Sequence, residues 1–433
     1  MRRILYDKLL KWKCKCDRKP LVLNGARQVG KTYLLKEFGQ QEYAKVAYVS
    51  LDRNVKARSL FERTTNTSDI LLALSALTGV DITPEDTLLI LDEIQDCPLA
   101  LQALKYFYED APLVHVAVAG SLLGIALHGD VSYPVGKVEE YRLYPLSFEE
   151  FLDALGKWQM VQSLNECNWN VTDLLHDEYL SMLRKYYYVG GMPAAVLAFS
   201  QGAGLQEVRR IQNQILSGYQ RDFSKHVPLR EVPRIAMVWN SVPAQLAKEN
   251  KKFIYGSLKS GARASEFEIA IQWLVDAGLI YKVSRVNQPQ LPLKFYEDAS
   301  AFKIFMLDVG LMGAMVGVSA DSVLIDDTIF SEYKGAFTEL YVFSQLVLLD
   351  MPIFYHSVEK STIEIDFLLQ CRDRVIPIEV KAGDNVKSKS LRLFVDKNPP
   401  LKGIRFSMLR HRDQDWMINY PLYACRTALL NVE

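Results

Sequence analysis

Eight consecutive residues, Gly25, Ala26, Arg27, Gln28, Val29, Gly30, Lys31 and Thr32, have the types and spacing of a phosphate-binding loop, G-x-x-x-x-G-K-[ST]. Such a loop turns backbone N–H groups toward one anion, and the helix that follows adds its positive end. Lys31 is placed to reach the β- and γ-phosphates of a nucleotide, and the Thr32 hydroxyl to ligate Mg²⁺. Two acids close the apolar run Leu88-Leu89-Ile90-Leu91-Asp92-Glu93. Asp92 is the candidate to hold Mg²⁺, directly or through water, and Glu93 to polarise an attacking water. A Glu beside the metal-binding Asp marks NTPases that hydrolyse more than it marks small-molecule kinases. Ser121 follows a third apolar run, Val114 to Ala119, and is a candidate contact to the γ-phosphate or the water. Its alternative role is to cap the next helix.

The last third of the chain carries a separate set. From Thr362 to Leu369 the residues alternate, which places Glu364 and Asp366 on one face of a strand. From Val375 to Lys381 they alternate again, with Glu379 and Lys381 sharing a face. A hairpin between the two runs brings Asp366 near Glu379 and Lys381. Glu339, on an amphipathic helix over 334–346, is a possible third acid. Asp…Glu-x-Lys is the pattern of metal-dependent nucleases. Asp366, Glu379 and Glu339 are the candidates to hold a second divalent cation, Mg²⁺ or Mn²⁺, on a scissile phosphate, and Lys381 to orient the water. The alternative is a solvated hairpin face with an ordinary Glu–Lys neighbour pair. The residues that follow are basic: Lys387, Lys389, Arg392, Lys397, Lys402, Arg405, Arg410 and Arg412 against Asp384 and Asp396. They offer either a track for the phosphate backbone of DNA or RNA or a solvated face.

These side chains need elements to hold them. Residues 21–24, 46–51, 88–92 and 114–119 read as strands of a parallel sheet with helices between them. Ser147, with Glu150 three residues on, predicts a helix starting near 148. The stretch 148–225 reads as mostly helical, interrupted at Gly190-Gly191-Met192-Pro193. Ser265 to Tyr281 predicts a capped helix ending at Gly278 and then a strand, the closing order of a winged helix-turn-helix. Lys248, Lys251, Lys252, Lys259 and Arg263 precede it. Such a module either binds DNA in the major groove or serves only for packing.

The whole chain bounds these readings. Its 433 residues exceed one ordinary core, so two or three domains are expected. Apolar content of 49% and charged content of 24% describe a soluble globular protein. Lys+Arg and Asp+Glu are both 51, so any nucleic-acid site must be a local patch. The basic start has no apolar core of a signal peptide, and no uncharged run reaches membrane length, so a cytoplasmic location is expected. Six scattered Cys include one C-x-C pair, Cys14 and Cys16, with no partner pair. Free thiols rather than a zinc site are expected.

In order along the chain stand GARQVGKT (25–32), LILDEIQ (89–95), AGS (119–121), LYPLSFEEF (143–151), GGMP (190–193), GAFTEL (335–340), EIDF (364–367) and IEVK (378–381). With these motifs the chain resembles the bacterial and archaeal AAA+-type ATPases that join an N-terminal P-loop domain to a C-terminal domain of uncharacterised function. The resemblance implies ATP binding and a C-terminal fold of the PD-(D/E)XK nuclease type; a homo-oligomer is compatible with it. Members often have Gly-Arg before the LYPLSF segment, where this chain has Gly136-Lys137. If that arginine is an arginine finger, Lys137 is a weaker substitute without the bidentate fork, and Arg142 is the other candidate. The expected architecture is α/β: a P-loop NTPase core with a parallel sheet over 1–147, a helical region over 148–230, a winged-helix-like domain over 231–319, and a nuclease-like α/β domain over 320–433. Two functions fit: an ATPase coupled to a nuclease-like domain acting on nucleic acid, or a nucleotide-dependent switch whose C-terminal domain does not cut.

Overall fold

The computed structural model describes residues 1–121, 133–248, 252–324, 333–358, 363–383 and 387–430; Lys251, Thr362 and Asp384 lie outside the described residues. The chain divides into two units, Met1–Tyr144 with Asp276–Leu279, and Pro145–Val275 with Ile280–Glu433.

In the first unit the apolar runs form β1 (Leu21–Asn24), β2 (Lys45–Ser50), β3 (Thr87–Asp92) and β4 (His115–Ala119), within a residue of their expected bounds. Every residue of β3 and β4 is buried, as for central strands of a parallel sheet covered on both faces. A fifth strand, β5 (Glu139–Arg142), is not legible in the sequence. It is short and polar, because it is an edge strand whose side chains are half-buried or exposed. All neighbours are parallel, in the order β2-β3-β4-β1-β5. β4 therefore lies between β1 and β3, which brings the ends of the three motif-bearing strands together. Val22, Leu89, Leu91, Val116 and Val118 of the sheet pack with Ile70, Leu74, Leu104 and Phe107 of the covering helices. One of those helices, Thr67–Thr78, is capped by the Asn66 side chain and ends at left-handed Gly79.

The second unit begins with helices. Ser147 and Glu150 form the expected capping box at the start of the helix Phe148–Ala154. The neighbouring Glu149 pairs with Arg426 at 3.2 Å, both buried. The Gly190-Gly191 interruption is a close-packed joint. Leu146 N–H donates to the Gly191 carbonyl at 2.7 Å, and Gly191 N–H donates to Asp308 Oδ2 at 2.6 Å. A Cβ at Gly190 would strike the Asp308 carboxylate, and one at Gly191 would strike the Leu146 carbonyl. Burial pushes the Asp308 carboxyl up to about 6, against the pull of its backbone N–H donors.

The rest of the unit is built on one eight-stranded sheet. Its strands are β6 (Ile280–Val286), β7 (Glu297–Met306), β8 (Ile353–Ser357), β9 (Glu364–Cys371), β10 (Arg374–Val380), β11 (Gly403–Ser407), β12 (Arg412–Asp413) and β13 (Met417–Pro421), in the order β12-β13-β11-β10-β9-β8-β6-β7. The helix and strand expected around Gly278 are present as Ala264–Asp276 and β6. One sheet has strands on both sides of the boundary expected at 319/320: β6 pairs with β7 on one side and with β8 on the other. A two-stranded hairpin is marginal alone, and β6 is buried over most of its length, so it completes a larger sheet.

Candidate functional site

The phosphate loop is shaped by close approaches that its sequence permits. β1 ends at Asn24, whose carbonyl accepts from Leu143 N–H at 2.8 Å. Gly25 follows with φ +149°, and a Cβ there would collide with the Leu143 carbonyl. Gln28 and Gly30 both take positive φ, and the helix Lys31–Glu42 then starts with no side-chain cap. Its first N–H groups are left for an anion. Arg3, which the sequence reading passes over, braces the loop from outside. Its guanidinium donates to the Val29 carbonyl at 3.0 Å and to the Tyr144 carbonyl at 2.6 Å.

Lys31 is buried, and its Nζ donates to the carbonyls of Gly25 and Ala26, each at 2.8 Å. Burial lowers its pKa to about 8, with Glu93 and Asp92 pulling the other way. This gives a pH prediction. Phosphate charge beside Lys31 favours the protonated form, so a nucleotide bound there raises the pKa. Above about pH 8 binding must then take up a proton. Nucleotide affinity is expected to be flat from pH 6.5 to 7.5 and to fall toward about tenfold per pH unit beyond 8. Titration of a fluorescent ATP analogue across pH 6.5–9.5 checks this; affinity that stays level or rises above pH 8 contradicts it.

Asp92, at the buried end of β3, is a crowded acceptor. Its Oδ2 receives Thr32 Oγ1 at 2.8 Å and Tyr48 Oη at 2.9 Å, and its Oδ1 receives the Glu93 N–H at 3.0 Å. Tyr48 on β2 is a contact the sequence reading does not supply. Burial, then the Asp92 carboxylate, push its phenol up to about 12, so it stays a donor. Glu93 takes the left-handed conformation, φ 53° and ψ 49°. A non-glycine residue there is strained, a feature concentrated at functional sites. The Gln95 amide donates to Glu93 Oε2 at 2.5 Å. Ser121, two residues beyond β4, is 5% exposed, and its Oγ has no hydrogen-bond partner among the described residues.

These donors and acceptors fit Mg-ATP. A hydroxyl and a carboxylate already joined, Thr32 and Asp92, form a hard oxygen pair of the kind Mg²⁺ takes. A buried lysine and a buried, unsatisfied hydroxyl face the same strand ends. Of the two arginine-finger candidates, Lys137 is engaged with Glu109 at 3.1 Å. Arg142 is exposed at the end of β5, in register with Asn24.

In the second unit, β9 and β10 are antiparallel, with Ile378 opposite Phe367. Asp366 Oδ2 accepts from the Val380 N–H at 2.8 Å, and Lys381 lies 2.9 Å from Glu379 Oε1. Glu379 is buried, and its Oε2 has no hydrogen-bond partner among the described residues. Glu339 is engaged differently from the expectation. The Nζ of Lys303 on β7, 0% exposed, lies 3.1 Å from Glu339 Oε1 and 3.1 Å from Glu364 Oε1. Glu339 and Glu364 thus share one buried lysine. Among the described residues no three His, Cys, Asp or Glu side chains gather as a metal-binding group. The basic stretch is also partly neutralised: Arg392 pairs with Asp396 and Lys402 with Asp413. Arg405 is buried against Asn419 and Ser388.

Residues 17–152 match the AAA domain family. Residues 180–322 and 334–423 match two domains of unknown function, DUF8612 and DUF4143. No curated protein matches the sequence. Among solved structures, the chain is similar to the Walker-type ATPase Paby2304 of Pyrococcus abyssi at 14% identity and TM-score 0.46, over 73% of this chain and 95% of that one. It is similar to the RuvB Holliday junction branch migration motor of Thermotoga maritima at 13% identity and TM-score 0.30, over 66% and 89%. It is also similar to AMPPCP-bound DnaA of Aquifex aeolicus at 13% identity and TM-score 0.29, over 63% and 88%. Each superposes only partially. The AAA-domain match and the loop itself make the N-terminal region an AAA-type, ATP-binding P-loop ATPase domain. No helix among the described residues is long and apolar enough to cross a membrane.

Proposed function

We propose that this chain is a nucleotide-operated switch: its N-terminal unit hydrolyses Mg-ATP, and its C-terminal sheet holds a partner without cutting it. The first half is supported by the arrangement of strand ends. Lys31 and Thr32 follow β1, Ser121 follows β4, and Asp92 ends β3, and these three strands are neighbours.

Mg²⁺, when bound by Thr32 and Asp92, neutralises charge on the phosphates. Lys31 and the N–H groups at the start of its helix orient the β- and γ-phosphates. Tyr48 keeps the Asp92 carboxylate in place. Glu93 takes a proton from the attacking water as the water oxygen bonds to the γ-phosphorus. The bond from that phosphorus to the bridging oxygen breaks, and its electron pair leaves with ADP. Ser121 contacts the γ-phosphate or the water. Lys137 and Arg142 are the two candidates for a finger, and only Arg142 has the forked guanidinium.

The second half rests on one observation: Lys303, fully buried, bridges Glu339 and Glu364. A fixed lysine charge competes with any divalent cation for those acids. A nuclease is the other reading, favoured by Glu379 Oε2, unpartnered among the described residues, and the adjacent Lys381. Incubation with circular single- and double-stranded DNA, with and without ATP and Mn²⁺, separates the two. We expect ATP turnover and intact DNA. Nicking that Asp366→Ala removes would reverse this half of the proposal.

A further inference from the structure

We infer that Gln95 is a positioning residue for the hydrolytic water, acting through Glu93; the inference rests on the ATPase reading above. Three buried side-chain oxygens of the N-terminal unit have no hydrogen-bond partner among the described residues, and each stands at or after the C-terminal end of an inner strand: Asn24 Oδ1 (β1), Gln95 Oε1 (β3) and Ser121 Oγ (β4). Leu23 and Asp92 both stand opposite Ala119, so Asn24 and Ser121 lie just past one row of the β1-β4-β3 trio, and Gln95 follows three residues after Asp92, in the short helical turn Ile94–Asp96.

The two amides are fixed by their other ends. The Gln95 Nε2 donates to Glu93 Oε2 at 2.5 Å, and the Asn24 Nδ2 donates to Glu140 Oε2 at 3.3 Å. Turning either amide over would set its carbonyl oxygen against a carboxylate oxygen, so both carbonyls must face away from those acids. The amide oxygens Asn24 Oδ1 and Gln95 Oε1 only accept, so neither can satisfy the other, and phosphate oxygens, which at neutral pH also accept, cannot satisfy them. Gln95 Oε1 needs a donor, and a water has two. A water that gives one proton to Glu93 and the other to Gln95 Oε1 presents its lone pair away from both, toward an electrophile. Gln95 does a second thing: its N–H holds Glu93 Oε2, which fixes a carboxylate carried on a strained left-handed backbone. In the reaction the proton goes to Glu93, while Gln95 gains and loses none.

Two variants test this. Gln95→Met keeps the volume and removes both polar ends. Gln95→Glu keeps an acceptor and replaces the donor with a charge that repels Glu93. We expect each to lower kcat about 100-fold, the scale of a misplaced reacting group. The Kd of a fluorescent ATP analogue and the melting temperature should stay at wild-type values, a split that a merely structural residue would not give. Either variant turning over within threefold of wild type overturns the inference, and so does an equal loss of affinity and rate. A wild-type protein that binds ATP without hydrolysing it removes the reading beneath it, and the inference falls with that.

Discussion

Lys31→Ala is expected to abolish ATP turnover, lowering kcat/KM by about 10³-fold or more. One unit charge about 4 Å from a phosphate is worth roughly 4 kcal/mol at the effective dielectric of a partly buried site, and that energy corresponds to about 10³. The loss should not come from unfolding. Lys31 is held in the free protein by two neutral carbonyls, and burial lowers its pKa to about 8, so its charge is carried at a cost to the fold. Its removal should leave the melting temperature unchanged or raised. Steady-state phosphate release and a thermal melt check both parts. A variant with wild-type turnover would remove Lys31 from the phosphates.

Glu93→Gln is expected to lower kcat by about 10²- to 10⁴-fold, the usual contribution of a general base, while Mg-ATP still binds. The substitution keeps shape, and the new amide oxygen can still accept from Gln95. It removes only the capacity to take a proton. Backbone strain is unchanged, since φ 53° is equally uncomfortable for either side chain. Rapid-mixing kinetics separate the steps. Normal turnover would move the base elsewhere, and loss of binding would mean that Glu93 shapes the pocket.

The nucleotide site was legible because its parts are local. Gly25 to Thr32 is one loop, and Asp92-Glu93 is one strand end. Apolar runs located four of the five parallel strands. The parts that escaped are those whose partners are far along the chain. Arg3 reaches Tyr144, and Tyr48 reaches Asp92 from the neighbouring strand. Neither contact has a sequence signal, since one buried arginine or tyrosine looks like any other before the sheet order is known. β5 escaped because Glu139 to Arg142 has the composition of a solvated loop; only pairing with β1 makes it a strand.

The C-terminal half shows the opposite limit. Alternation placed Glu364, Asp366, Glu379 and Lys381 on paired strands, and the pairing is present. Nothing in alternation could reveal Lys303, which lies on β7 in a stretch read as another domain. A fully buried lysine is rare enough that it is not expected without a partner in view. Its two partners, Glu339 and Glu364, come from a helix and a strand brought together only by the eight-stranded sheet. In sequence, the LYPLSFEEF segment offers a helix start at Ser147 and the GGMP segment an interruption of a helical stretch. Their physical content is a joint: glycines pressed against Asp308 and the Leu146 carbonyl, a capping box at Ser147, and Glu149 paired with Arg426.

The central claim is that the strand ends carrying Lys31, Thr32, Asp92 and Ser121 bind Mg-ATP and that Glu93 drives its hydrolysis. The most direct measurement incubates wild-type and Glu93→Gln proteins with radiolabelled ATP and Mg²⁺, separates the protein from free nucleotide, and identifies what remains bound. The account predicts ADP or no nucleotide on the wild type and intact ATP, one per chain, on Glu93→Gln. Intact ATP on both proteins, or ADP on both, would contradict it.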